Sequence, residues 1–268
     1  MTILEAIILG IIQGATEFLP ISSSGHLVLL PTIFDLTSPD LTMTGLVHLG
    51  SLMAVLIYFR QDLWQITTAV FSGLRSRQPF ATTDARLGWI IAVGSIPAAA
   101  AGILLESFFE EMFAHPIWAA VFLLVTAALL ITGERLLSGK KTFADMSWLD
   151  GLIIGLFQMM ALLPGISRSG STIVGGLIRG LDRSYAARFS FLLGAPVIFG
   201  AGLLSIIDIF TTSAQGYGAG VYVAAFLAAG ITGYLCIALL LNWVRSHSLY
   251  VFAAYTAVFG IIYILFLR

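Results

Sequence analysis

The sequence predicts an all-α polytopic membrane protein made of two inverted-topology repeats, each with a re-entrant helix hairpin and three transmembrane helices. Three observations lead to this fold class: the composition, the lengths of the apolar segments, and a match between two stretches 145 residues apart. Of the 268 residues, 59% are hydrophobic and only 10% are charged, whereas a soluble domain has about a quarter charged residues. The composition therefore indicates an integral membrane protein and leaves too few charges for a nucleic-acid-binding surface.

Six segments are long enough to cross the bilayer, because a transmembrane helix needs about 20 mostly apolar residues. They run roughly over 43–60, 88–105, 116–137, 187–207, 219–243 and 249–267. Four shorter apolar segments form two pairs, each joined by a polar stretch rich in Pro, Gly and Ser: 3–19 with 27–34, and 149–163 with 173–181. Each pair predicts a re-entrant hairpin, whose irregular tip must be covered by protein or by a water-filled cavity.

The repeat is visible when LEAIILGIIQGATEFLPISSSG, which starts at Leu4, is aligned without a gap on LDGLIIGLFQMMALLPGISRSG, which starts at Leu149. Apolar matches are expected between any two membrane segments, but here polar residues and glycines also match in one register. The matching pairs are Glu5–Asp150, Gly10–Gly155, Gln13–Gln158, Ser22–Ser167, Ser24–Ser169 and Gly25–Gly170. We therefore interpret 1–137 as the first repeat, 138–148 as a cytoplasmic connector and 149–268 as the second repeat.

The distribution of charge supports this topology. With three spans in each repeat, one side of the membrane receives loops 60–87, 138–148, 179–188 and 244–248, which together with their edges hold 11 of the 13 basic residues. The positive-inside rule makes that side cytoplasmic, so both termini are predicted outside. The opposite side receives acidic residues, namely Asp35, Asp40, Glu106, Glu110, Glu111 and Asp208.

The two hairpin tips, PISSSGH (20–26) and PGISRSGST (164–172), are predicted to meet near the middle of the membrane, where inverted repeats bind their substrates. Arg168 at that depth is costly unless it faces a cavity or a partner, and its guanidinium suits phosphate or carboxylate oxygens. Gly165 and Gly170 permit close approach of the backbone, and the neighbouring serines offer hydroxyl donors. Together these residues predict an anion site.

Two interpretations of this polar cluster stay open. Helices that begin near Ser24 and Ser171 would add N–H groups and a favourable dipole to an anion site. Alternatively, serines and glycines pack helix interfaces, and Arg168 pairs with Glu17 as a structural contact. Glu17 shares one helix face with Gln13, four residues earlier, and is a candidate metal ligand or base.

Two histidines accompany these groups. His26 follows the serines directly and lies close enough in the chain to exchange a proton with them, although an isolated histidine is more often a packed polar residue. His48, inside a predicted span, fits that simpler role or lines the cavity. His115 and His247 lie in predicted loops and have no assigned role.

Taken together, QGATEFLPISSSGH and PGISRSGST resemble the two motifs of the bacterial undecaprenyl-diphosphate phosphatase family, the membrane phosphatases linked to bacitracin resistance. The resemblance covers the whole chain in length, helix count and both hairpins. It implies hydrolysis of undecaprenyl diphosphate to undecaprenyl phosphate and inorganic phosphate, with a divalent cation, Mg²⁺ or Ca²⁺. It also implies a bacterial cytoplasmic membrane, a site open to the outer face, and polyprenyl diphosphate and membrane lipids as partners. The sequence leaves open whether the chain forms a homodimer.

The resemblance implies catalytic roles for Glu17, Ser23, His26 and Arg168. We favour Ser23 as the nucleophile with His26 and Glu17 assisting, but direct attack by water stays open. Substrate-binding residues are expected at Gln13, Ser22, Ser24, Gly165, Ser167, Ser169, Gly170 and Thr172. Many members of the family have a second acid at the position of Gln13, so a metal site at Gln13 and Glu17 would have a single carboxylate.

A secondary transporter or flippase for an anionic lipid or solute is the main alternative. Inverted repeats with paired hairpins occur in transporters, and an anion site at mid-membrane depth serves either function. The Ser-Arg-Ser motif, together with its resemblance to the phosphatase family, favours the enzyme. A channel is disfavoured, because the polar residues concentrate at two tips instead of following one helix face.

Overall fold

The computed structural model describes residues 1–34, 37, 39–137, 139–211 and 217–267, except for the side chains of Leu41 and of residues 204–211. Twelve α-helices lie within these residues: α1 (Ile3–Phe18), α2 (Ser23–Phe34), α3 (Leu41–Tyr58), α4 (Arg60–Arg75), α5 (Thr83–Leu104), α6 (Glu106–Ala114), α7 (Pro116–Arg135), α8 (Trp148–Met160), α9 (Arg168–Ile178), α10 (Arg183–Thr211), α11 (Ala219–Trp243) and α12 (Tyr250–Ile262). Of the acidic residues predicted on the outer side, Asp35 and the side chain of Asp208 lie outside the described part.

The helices have the lengths and apolarity of a multi-pass membrane protein. Within the described residues, five are long and apolar enough to span a bilayer: Thr83–Leu104, Pro116–Arg135, Arg183–Leu203, Ala219–Trp243 and Tyr250–Leu267. A sixth span is counted only if α3 and α4 are taken together, and these two helices are bent by 78° at their junction. The predicted segment 43–60 corresponds to α3.

The segment 60–75, predicted as part of a polar loop, is a helix instead. α4 turns sharply away from α3 and packs against α5. Ile66 and Gly73, seven residues apart, are buried, whereas Trp64 and Phe71, also seven apart, are exposed. Apolar residues therefore lie on both the buried and the exposed face of α4, separated by polar residues. A search for a long, fully apolar segment does not detect such a helix.

The two predicted hairpins correspond to pairs of short helices, α1 with α2 and α8 with α9. The first helix of each pair begins with a capping box, formed by Thr2 and Glu5 in α1 and by Ser147 and Asp150 in α8. A capping box satisfies backbone N–H groups that a helix start otherwise leaves unpaired. These two pairs lie 145 residues apart, the same spacing as the sequence match.

Each hairpin packs against a spanning helix from a distant part of the chain: α1 against α11, and α8 against α5. Glycine allows this backbone approach. A Cβ on Gly10 would lie 2.4 Å from the carbonyl oxygen of Ala225, and a Cβ on Gly155 would lie 2.3 Å from that of Gly94. A helix from the C-terminal half of the chain therefore holds the first hairpin, and a helix from the N-terminal half holds the second. This packing brings the two tips together.

Candidate active site

An ion pair joins the two tips. Nη2 of Arg168, the first residue of α9, donates to Oε1 of Glu17, near the end of α1, over 2.7 Å. The Arg168 side chain is 14% exposed and the Glu17 side chain is 5% exposed. Because this pair is nearly buried, solvent screens the attraction between its two charges only weakly.

Three further polar side chains contact or approach the second carboxylate oxygen of Glu17. Gln13 Nε2 donates to Glu17 Oε2 over 2.9 Å, and Ser23 Oγ donates to the same atom over 2.6 Å. His48 Nε2 lies 3.7 Å from it. The expected sharing of one helix face by Gln13 and Glu17 is thus observed, and Glu17 is the centre of the polar cluster.

Arg168 is also held by α10, which the motif analysis did not include. Its Nη1 donates to the Ser190 carbonyl oxygen over 3.2 Å, and the Ser190 hydroxyl lies 2.6 Å from Thr172 Oγ1. Gly194 lies so close that a Cβ there would be 2.0 Å from Arg168 Nη1. In the sequence the only sign of this contact is a serine inside an apolar run.

The first tip contains a residue in a left-handed conformation. Ser22 has φ 72°, which costs free energy for any residue with a Cβ and so must be held by its surroundings. Its hydroxyl accepts from the N–H of Gly25 over 3.2 Å and lies 3.2 Å from Ser24 Oγ. Ser22 therefore caps the start of α2, which begins at Ser23 as expected.

His26 faces α12 and not the ion pair. Its Nδ1 lies 2.7 Å from the Ser22 carbonyl oxygen, which only accepts, so Nδ1 carries the hydrogen. Its Nε2 lies 2.8 Å from the Tyr255 hydroxyl, and its ring stacks against Phe259. Both ring nitrogens are thus bonded to groups other than Ser23. In this arrangement His26 connects Ser22, the left-handed residue of the first tip, to α12.

The second tip is fixed by α7. Gly165 has φ 95°, and a Cβ there would lie 2.1 Å from the Ala119 carbonyl oxygen. Thr126 Oγ1 donates to the Gly165 carbonyl oxygen over 2.9 Å and accepts from the Ser167 N–H over 3.0 Å. Ser167 Oγ accepts from the Gly170 N–H over 3.0 Å, so α9 begins at Arg168, three residues before the predicted start near Ser171.

Two hydrogen bonds connect the tips directly. The Gly165 N–H donates to Ser24 Oγ over 3.3 Å, and Ser169 Oγ donates to the Leu19 carbonyl oxygen over 3.2 Å. Ser24 and Ser169 are 145 residues apart, so the matched serines of the two tips each bond to the opposite tip. The two tips therefore lie in contact, as predicted.

Ser23 and Arg168 are also 145 residues apart. Each is the first residue of its helix, α2 and α9 respectively, and each donates to one oxygen of Glu17. Matched positions of the two tips therefore carry a hydroxyl on one side and a permanent cation on the other. A hydroxyl that donates a hydrogen bond to a carboxylate, as Ser23 does, is a geometry that nucleophilic and purely structural serines share.

The residues around Glu17 fit a divalent cation only in part. The described residues contain no group of three or more His, Cys, Asp or Glu side chains that would hold a metal ion. However, Gln13 Oε1 is buried without a hydrogen-bond partner among the described atoms, beside the Glu17 carboxylate. Mg²⁺ prefers oxygen ligands and is commonly held by one or two carboxylates together with substrate phosphates and water. Glu17 and Gln13 therefore suit a site that the substrate completes.

Comparisons with known proteins agree with one another. The family model of bacitracin resistance protein BacA matches residues 6–262. Proteins named undecaprenyl-diphosphatase from Chlorobium phaeobacteroides (strain BS1) and Methanosphaera stadtmanae are each 43% identical to this chain, over 97% and 99% of it and over 95% and 98% of their own lengths. A protein of the same name from Myxococcus xanthus is 40% identical over 100% of this chain and 90% of its own length. The chain therefore belongs to the bacitracin resistance protein BacA family.

Proposed function

We propose that this protein hydrolyses undecaprenyl diphosphate to undecaprenyl phosphate and inorganic phosphate. The proposal depends mainly on one observation. Between the two hairpin tips, Ser23 and Arg168 each donate a hydrogen bond to a different oxygen of Glu17. Membership of the BacA family and the name undecaprenyl-diphosphatase carried by its relatives supply the substrate. They favour an enzyme over a transporter, whereas the paired hairpins alone would suit either function.

The proposed topology is that of inverted repeats, 1–137 and 149–268, joined by the connector 138–148. The matched capping boxes, the matched glycines on α1 and α8, and the matched tip serines support it. With the basic loops in the cytoplasm, both termini lie outside and the site opens to the outer face of a bacterial cytoplasmic membrane. The charged head of the lipid then lies between the tips, and its isoprenoid tail stays among apolar helices.

In the proposed mechanism Arg168 binds the diphosphate. Within the described residues, Glu17 and the Ser190 carbonyl use two of the five guanidinium N–H groups, which leaves donors for phosphate oxygens. In this proposal the starts of α2 and α9 lie beside the head group, as do the hydroxyl groups of Ser22, Ser24, Ser167, Ser169 and Thr172. A divalent cation held by Glu17, Gln13 and the substrate would supply additional charge neutralisation.

The chemical step begins with the Ser23 hydroxyl, which already donates to Glu17 Oε2. Ser23 Oγ attacks the terminal phosphorus, Glu17 accepts the hydroxyl proton, and the bond from that phosphorus to the bridging oxygen breaks. Undecaprenyl phosphate leaves with the bridging oxygen, and a phosphoserine remains. Glu17 passes this proton to the departing phosphate and is ionised again. It then takes a proton from a water molecule that attacks the phosphoserine and returns it to Ser23 Oγ as inorganic phosphate leaves. His26 acts in this scheme by holding the first tip in position.

The Ser23→Ala variant tests the nucleophile. We expect phosphate release to fall by about 1,000-fold or more, because no covalent intermediate can form. The matched control is Ser171→Ala, which removes a buried hydroxyl that bonds to carbonyl groups of its own helix start. Mass spectrometry of acid-quenched wild-type protein should detect phosphoserine at position 23. Substantial residual release by Ser23→Ala, with no phosphoserine in the wild type, would instead identify water as the nucleophile.

Metal removal tests the proposed function and the cation together. Purified protein in detergent should release phosphate from undecaprenyl diphosphate with Mg²⁺ or Ca²⁺, and EDTA should lower the rate by about 100-fold or more, since charge neutralisation carries much of the barrier. Gln13→Leu should raise the Mg²⁺ concentration needed for half-maximal activity. A rate unchanged by EDTA would rule out the cation, and no release under any of these conditions would rule out the phosphatase.

A further inference from the structure

His48 presents one ring nitrogen to the ion pair and the rest of its ring to a cavity. Its Nδ1 lies 2.8 Å from the Thr44 carbonyl oxygen, an acceptor, so Nδ1 carries a hydrogen and the orientation of the ring is fixed. Its Nε2 then points towards Glu17 Oε2, 3.7 Å away. This distance is longer than a hydrogen bond, so Nε2 stays available to a ligand that enters beside Glu17.

The cavity lies at the end of the bundle that contains α6 and the segment before α3. It has a volume of about 360 Å³ and is lined by residues from α2, α3, α6 and the start of α7. Two of its lining residues reach towards the tips: Ser24 Oγ accepts from the Gly165 N–H of the second tip, and His48 Nε2 lies 3.7 Å from Glu17 Oε2. The His48 side chain is 26% exposed, compared with 14% for Arg168 and 5% for Glu17. A head group that comes from this cavity therefore meets Ser24 and His48 before it reaches the ion pair.

We propose that His48 is a substrate-binding residue whose Nε2 contacts the diphosphate head as it enters from this cavity. The inference rests on the proposed function and adds a contact from α3 that neither hairpin motif contains. With the hydrogen of the neutral ring on Nδ1, Nε2 accepts from a P–OH group, and only the imidazolium form donates from Nε2 to an unprotonated phosphate oxygen.

Three variants at position 48 distinguish this role from a purely structural one. His48→Gln keeps a donor and an acceptor at a similar reach, His48→Asn keeps them on a shorter side chain, and His48→Leu removes them. His115→Leu is the matched control, since His115 is an exposed histidine at the start of α7. Each protein is assayed with undecaprenyl diphosphate, with inorganic phosphate as a competing product, and by thermal unfolding in detergent.

We expect His48→Gln and His115→Leu to stay within about threefold of the wild type in kcat/KM. His48→Leu and His48→Asn should lose about 10- to 100-fold, the effect of one hydrogen bond to a charged group. The loss should appear in KM, together with an equal weakening of phosphate inhibition. Unchanged KM and phosphate inhibition in both weak variants would overturn the inference, as would a loss as large in His48→Gln as in His48→Leu. A wild type without phosphate release would overturn the proposed function, and this inference with it.

Discussion

Arg168→Ala is expected to lower phosphate release by about 1,000-fold or more, because Arg168 is the permanent cation between the tips and phosphoryl transfer depends on charge stabilisation. Arg168→Lys should recover only a small part of the rate. A lysine ammonium lacks the planar fork with which Arg168 bonds to Glu17 and to the Ser190 carbonyl at the same time. The measurement is the rate of phosphate release from undecaprenyl diphosphate in detergent.

The matched control for Arg168→Ala is Arg179→Ala. Arg179 Nε lies 2.7 Å from Oδ1 of Asp150, a fully buried acid at the start of α8, and Lys141 also pairs with this acid. Loss of one partner of a buried ion pair commonly costs about 3–5 kcal/mol, so both variants should unfold at a lower temperature than the wild type. Only Arg168→Ala should lose activity. Equal activities in the two variants would mean that Arg168 has a structural role alone.

Glu17→Gln is expected to have an effect of comparable size, at least about 100-fold on kcat. The amide occupies the same volume but neither accepts the Ser23 proton nor supplies a negative oxygen to a cation. Glu134→Gln is the control, since Glu134 is a buried glutamate that pairs with Arg183 and accepts from the Leu249 N–H, outside the two tips. Wild-type kcat in Glu17→Gln, with normal metal dependence, would contradict the assigned role.

The meeting of the two tips was predictable from the sequence because the repeat and its polar matches are local patterns in a fixed register. Ser22 with Gly25 and Ser167 with Gly170 form equivalent helix starts, and both were visible as matched pairs. Arg168 was predicted to need an anion or a partner, since an arginine is rarely left unpaired at membrane depth. The structure supplies Glu17 as that partner.

The contacts from the spanning helices were not predictable to the same degree. Ser190 and His48 lie in α10 and α3, single polar residues inside apolar segments, and long-range packing alone brings them to Arg168 and Glu17. His26 shows the opposite case. Its closeness to the serines in the chain suggested that it assists Ser23, but the turn at Ser22 directs the ring to Tyr255 on α12. Proximity along the chain does not fix the direction of a side chain at a helix start.

In the proposed mechanism Ser23, Glu17 and Arg168 cleave the lipid diphosphate between its two phosphorus atoms and leave one phosphate on the undecaprenyl chain. The most direct test is to quantify the products that wild-type protein forms from undecaprenyl diphosphate in detergent with Mg²⁺. We predict equal amounts of inorganic phosphate and undecaprenyl phosphate, with neither product in the Arg168→Ala control. This mechanism would be contradicted by release of pyrophosphate with free undecaprenol. It would also be contradicted if folded wild-type protein left the substrate unchanged.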